Sequence, residues 1–84
     1  MQTYASKSVP GRKFRELGLV EASEVAVRSD VAERAAIERL EKKAAEKGAD
    51  AIIGYKISQV IVGTGTFGSG NECTVSGIAV KFID

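Results

Sequence analysis

Hydrophobic and polar positions change period twice along this chain, and the changes mark its elements. From Phe14 to Val27 the sequence runs F-R-E-L-G-L-V-E-A-S-E-V-A-V. Leu17, Leu19, Val25 and Val27 share one parity; Glu16, Val20, Glu24 and Ala26 share the other. Alternation with a period of two predicts a strand, with a helix as the competing reading because Glu, Ala and Leu suit both states. Glu21-Ala22-Ser23 interrupts the apolar set, which predicts a bulge or bend there. The period then lengthens. Val31 to Lys47 is filled with Ala, Glu, Lys, Arg and Leu, all good helix formers. Ala36, Ile37, Leu40 and Ala44 fall on one side at helical spacing. Asp30 followed three residues later by Glu33 reads as an N-cap with a capping box. Gly48 reads as the left-handed cap that ends the helix.

After Gly48 the period returns to two. Ala51 to Val62, A-I-I-G-Y-K-I-S-Q-V-I-V, is rich in β-branched residues. Alternation puts Ala51, Ile53, Tyr55, Ile57 and Ile61 on one face, with Ile52, Val60 and Val62 opposite beside Lys56 and Ser58. Gly63 to Asn71 is a glycine-rich connection, and Glu72 to Ile83 is the last strand. Apolar parity in that strand shifts at Gly77, from Cys73 and Val75 before it to Ile78, Val80 and Phe82 after it. A glycine at such a shift predicts a bulge or tight bend. The order is strand, helix, strand, strand. The reading is one α+β domain over residues 1–84: a flexible or lead-in arm over 1–11 (Pro10-Gly11 being a turn signal) and a β-α-β-β core over 12–84. One long helix packs on a small antiparallel sheet.

Length changes the picture by limiting the core. An 84-residue chain buries only roughly 60% of its unfolded surface. The helix offers only Ile37 and Leu40 as large apolar side chains, and one cysteine cannot supply an internal disulfide. A small sheet with one helix also leaves a face uncovered and two edges open. Assembly with copies of the same chain removes both problems. Ile52, Val60, Val62 and the loop residue Phe67 are the expected subunit contacts.

Charge excludes more than it suggests. Twelve basic and eleven acidic residues leave a net charge of +1, without the basic excess of a dedicated nucleic-acid binder. Arg12, Lys13 and Arg15 form a small cluster, but Glu16 and Glu21 follow closely, which fits a solvated strand start. No apolar run approaches the ~20 residues of a membrane span. The N-terminal residues have no signal-like apolar core. With the single cysteine, these features lead us to expect a cytoplasmic protein that engages neither membrane nor nucleic acid.

Candidate chemistry is sparse. The chain has no histidine, so the commonest general base is missing, and no Ser or Cys sits in a recognisable nucleophile motif. The expectation is a non-enzymatic protein without an organic cofactor. Gly63, Gly65 and Gly68 spell G-x-G-x-x-G. A dinucleotide fingerprint needs a helix to follow, and here a strand follows. What remains is a hairpin tip whose backbone N–H groups could hold an anion. Cys73 is the one soft-metal ligand. Adjacent Glu72 points to the opposite face of a strand, so a thiolate cluster would need Cys73 from several copies.

The run Ala45-Glu46-Lys47-Gly48-Ala49-Asp50-Ala51-Ile52-Ile53-Gly54, followed by Gly77-Ile78-Ala79-Val80, resembles the YbjQ-like family, commonly labelled heavy-metal-binding. Leu17-Gly18-Leu19-Val20 is similar to that family's first strand, and the resemblance covers Phe14 to Phe82. This chain passes more directly from first strand to helix than the family does, and Ile78 stands where Thr is usual. The resemblance implies a dodecin-like β-α-β-β subunit assembled as a ring, typically a homopentamer. It further implies a metal ion of unspecified identity, or a small ligand, bound between subunits. A structural or adaptor protein that recruits another protein is the alternative.

Overall fold

The computed structural model describes residues 1–63 and 70–83. Its elements are β1 (Gln2–Thr3), β2 (Phe14–Ala26), α1 (Ser29–Glu46), β3 (Ala51–Val62) and β4 (Gly70–Phe82). They form an α+β fold in which α1 packs on one face of a four-stranded sheet of order β1-β3-β4-β2. β4 is central and antiparallel to both neighbours. The lead-in segment adds the fourth strand: β1 pairs parallel with Ala51 and Ile52. Beyond β1, Ser6 O accepts from Gly54 N–H at 2.9 Å and Tyr4 O from Tyr55 N–H at 3.0 Å.

The helix ends as its sequence predicts. Gly48 has φ +80°. Its N–H donates to Ala45 O, and Ala49 N–H donates to Ala44 O. That pair of bonds is the Schellman arrangement, which satisfies carbonyls that would otherwise be orphaned. The other end corrects the expectation. The helix begins at Ser29 with Arg28 at the N-cap, and no side chain caps it. Asp30 therefore lies inside the first turn, where its carboxylate pairs with the Arg28 guanidinium at 2.9 Å. Glu33 turns towards β3 instead of back to the cap, accepting from Gln59 Nε2 at 3.5 Å.

α1 sits over β2 and β4. Ala32, Ala36, Leu40 and Ala44 are its buried residues. They pack against Val20, Ala22, Ile52, Cys73, Val75 and Ala79. A second, smaller core lies on the opposite face at the other end of the sheet, where Val9 of the lead-in segment covers Ala51, Ile53 and Val80.

Two irregularities decide which side chains reach these cores, and neither lies where alternation places it. The β2 irregularity falls between Glu16 and Gly18, not at Glu21-Ala22-Ser23. Gly18 takes φ +128°, and the parity of everything after it inverts. Val20 and Ala22 point under the helix, while Leu19, Val25 and Val27 are exposed. In β4 the register runs unbroken through Gly77 against β2. The extra residue lies in β3 opposite it, between Ile53 and Lys56, with Gly54 at φ +61°. Gly77 is required for a different reason: a Cβ there would lie 2.4 Å from Ile52 Cγ2 and 3.1 Å from Ile53 O. The parity shift in β4 reflects the change of covered face, from the helix side near Cys73 to the lead-in side near Val80.

The β3 bulge also corrects the face assignment of that strand. Cross-strand partners put Ile57, Gln59 and Ile61 opposite Val75, Cys73 and Asn71, on the helix side. Ile52 joins them there and is fully buried, so it is a core residue of the fold and not a surface contact. Val60 stays opposite Glu72 and Val62 opposite Gly70, on the face away from α1; Val60 is half exposed and Val62 partly buried.

Candidate functional site: the flank between helix and edge strand

Because α1 lies over β2 and β4, the helix side of β3 above the bulge has no cover. Ile57 is 43% and Ile61 72% exposed there. On the adjoining flank of the helix lies an open groove of about 460 Å³ lined by Asp30, Glu33, Arg34, Ile37, Glu38 and Glu41. These residues recur at the i, i+3, i+4 spacing of one helical stripe. The contact of Glu33 with Gln59 fixes the stripe on the flank that overlooks β3.

Tyr55, Gln59 and Cys73 meet at the inner wall of this flank. The bulge turns Tyr55 under the helix, where it packs against the main core. Its hydroxyl is buried and has no hydrogen-bond partner among the described residues. Burial pushes the Tyr55 hydroxyl pKa up, and the Glu33 and Cys73 charges add to that. Cys73 is buried and unpaired with any disulfide partner. Burial raises its pKa first and the Glu33 carboxylate next; a hydrogen bond with Gln59 works the other way. Both groups therefore stay neutral at physiological pH.

This chemistry bears on metal binding. A soft metal takes the thiolate, and a closed zinc site takes four ligands. Cys73 is held as the thiol, and among the described residues no three of Cys, Asp, Glu and His converge on a point that could hold an ion. The described residues of one chain do not bring a metal-ligand set together. Gly63 is exposed at φ +71° with open space around it. Gly65, Gly68 and Phe67 lie outside the described residues, so the anion-binding loop and the Phe67 contact stay expectations. The sequence pattern gave Glu33 a capping role and Tyr55 a place on a strand face, and marked neither of them, nor Gln59, as part of a site. The one signal for them was Gly54, whose positive φ permits the bulge that brings Tyr55 round.

The helix-to-strand junction, the two-stranded return and the sheet they build match known proteins. A family model described as "putative heavy-metal-binding", YbjQ-like, matches residues 21–83. The chain belongs to the YbjQ-like family. Its fold is that of a crystallographically solved DUF74-family protein of unknown function from Pediococcus pentosaceus, with a TM-score of 0.85 at 18% identity over 99% of this chain and 98% of that one. At that identity the likeness speaks for the fold alone. No curated protein matches the chain. No helix among the described residues is long and apolar enough to cross a membrane.

Proposed function

We propose that this YbjQ-like chain is the subunit of a non-enzymatic homo-oligomer, a ring of five copies, that holds a small ligand or a metal ion in sites shared between subunits. The carrying observation is the uncovered flank of β3. Ile57 and Ile61 lie exposed beside a buried Tyr55 hydroxyl that has no hydrogen-bond partner among the described residues. An apolar floor with a few polar groups is the usual composition of a ligand site, and a second subunit would close its open side. The family label supports a metal as the ligand. With no converging ligand set among the described residues of one chain, a metal would draw its donors from several copies.

Native mass spectrometry of the protein purified from its own host tests this reading. It should report a pentamer with retained small-molecule mass, or one that takes up added zinc or copper in a fixed ratio to subunits. A monomer at micromolar concentration, or an assembly that retains and takes up nothing, would overturn it. In the latter case a partner protein in the same preparation would favour the recruiting role, for which exposed Leu19 and Val25 on the far face offer a surface.

A further inference from the structure

We infer that the C-terminal end of α1 and the sheet beside it form a binding site for a phosphate-bearing anion, with Arg15, Lys47 and Lys81 as its cationic groups. The site is built within one chain and stands apart from the β3 flank, so it does not depend on how many copies associate. Alternation along β4 places its side chains. Ala79 packs under the helix and Val80 faces the lead-in segment, so Lys81 returns to the helix side, just past the end of α1. Arg15 is its cross-strand partner on β2. Both are exposed. Cross-strand partners stand roughly 5 Å apart at Cβ, and like charges directly opposite one another are destabilising. No carboxylate among the described residues forms an ion pair with either one. Asp50 flanks Lys81, but it is engaged: its N–H donates to Val80 O and its carboxylate accepts from Phe82 N–H, both at 2.8 Å. Glu16 lies opposite Val80, on the other face.

The β2 bulge supplies the opening and brings in the third cation. Gly18 is the partner of Ala79, which lies two residues before Lys81, roughly 7 Å along β4 at ~3.4 Å per residue. Lys47, at the C-cap of α1, reaches down over the bulge. Its Nζ lies 4.0 Å from where a Gly18 Cβ would stand, and outside the flanking residues no other described atom comes as close. Gly18 thus leaves a notch without a side chain, with Lys47 above it and Arg15 and Lys81 at its mouth. Such a set suits the clustered oxygens of a phosphate: the guanidinium binds them in a fork, and each ammonium adds a point charge. A bound anion turns the repulsion between Arg15 and Lys81 into two attractions. The fold also divides the sequence cluster of Arg12, Lys13 and Arg15. Arg12 lies over the Phe82 ring at 3.8 Å, on the lead-in side. Lys13 continues the ladder, its carbonyl accepting from Ile83 N–H, which puts its side chain on the same side as Arg15. The ligand is therefore a phosphate group with at least two negative charges, carried by a soluble oligophosphate or by a lipid headgroup.

Titration of the isotope-labelled full chain with tripolyphosphate at low salt, followed by NMR, tests the site. Saturable amide shifts should centre on Arg15 to Gly18, Lys47 and Lys81. Arg15→Gln with Lys81→Gln should weaken binding by about tenfold or more, while Lys42→Gln, elsewhere on the exposed surface of α1, should bind like the wild type. Without ligand the double variant should melt no lower than the wild type, because it loses a like-charge pair; that separates lost binding from lost folding. Phosphatidic acid vesicles locate the phosphate. Capture that tripolyphosphate reverses assigns it to a lipid headgroup, and no capture assigns it to a soluble ligand. The absence of a saturable shift, undiminished binding by the double variant, or an equal loss in Lys42→Gln would overturn the site. So would retention of single-stranded RNA by a chain that tripolyphosphate leaves unshifted.

Discussion

Gly77 shows how much a single missing atom can carry. Its φ is ordinary, so the backbone tolerates any residue, yet a Cβ would strike Ile52 Cγ2 at 2.4 Å. Ile52 is β-branched and fully buried, which leaves it little room to turn. Gly77→Ala should cost about 1–3 kcal/mol by overpacking, read as a lower urea midpoint with unchanged slope. Cys73 and Tyr55 carry a second effect. Both have raised pKa values in the fold, so the folded state keeps protons that the unfolded chain releases at alkaline pH. Their contribution is complete below the unfolded pKa values, roughly 8.5 for Cys and 10 for Tyr, and is lost as pH rises through the higher folded values. Urea midpoints should therefore fall as pH rises above about 8.5. Cys73→Ala with Tyr55→Phe should flatten that slope, and an unchanged slope would place the titration elsewhere.

At the scale of elements, α1 is held mainly by one large side chain. Its buried residues are three alanines and Leu40. The alanines bring the helix axis close to the sheet but remove little apolar area from water. Leu40→Ala should therefore cost about 2–5 kcal/mol, at the upper end if the rigid alanine neighbours cannot collapse into the cavity. Thermal unfolding by circular dichroism measures it; a loss under 1 kcal/mol would mean the helix is anchored elsewhere. The helix itself was legible in the sequence because propensity, spacing and the Gly48 cap agree. Its start was not. Asp30 has the right side chain for a cap, but the chain enters one turn's edge earlier at Arg28, whose guanidinium takes the Asp30 carboxylate.

At the scale of the molecule, the sheet is long for the helix that covers it. The molecule measures 54 × 22 × 16 Å, and an 18-residue helix spans roughly half that length at ~1.5 Å per residue. Apolar side chains are left exposed on both faces, with Leu19 at 69%, Val25 at 56%, Val60 at 50% and Ile61 at 72%. Such exposure, together with two open edges, is what a neighbouring copy would cover. It is the reason the mass-spectrometric experiment carries the most weight for function.

The sequence by itself determined the strand-helix-strand-strand order of the core, the left-handed cap at Gly48, the alanine face of α1 and the family, while the short β1 in the lead-in segment was not legible. Each of these rests on local propensity or on a short run of residues, such as Ala49 to Gly54, which is readable without knowing its neighbours. Tertiary structure decided the faces. One extra residue near Gly18 and one near Gly54 each invert the parity of a strand. They send Ile52 and Tyr55 inward and Leu19 outward, and they assemble the Glu33, Tyr55, Gln59 and Cys73 flank. A bulge of this kind is fixed by the partner strand opposite it, so alternation along one strand could not reveal it.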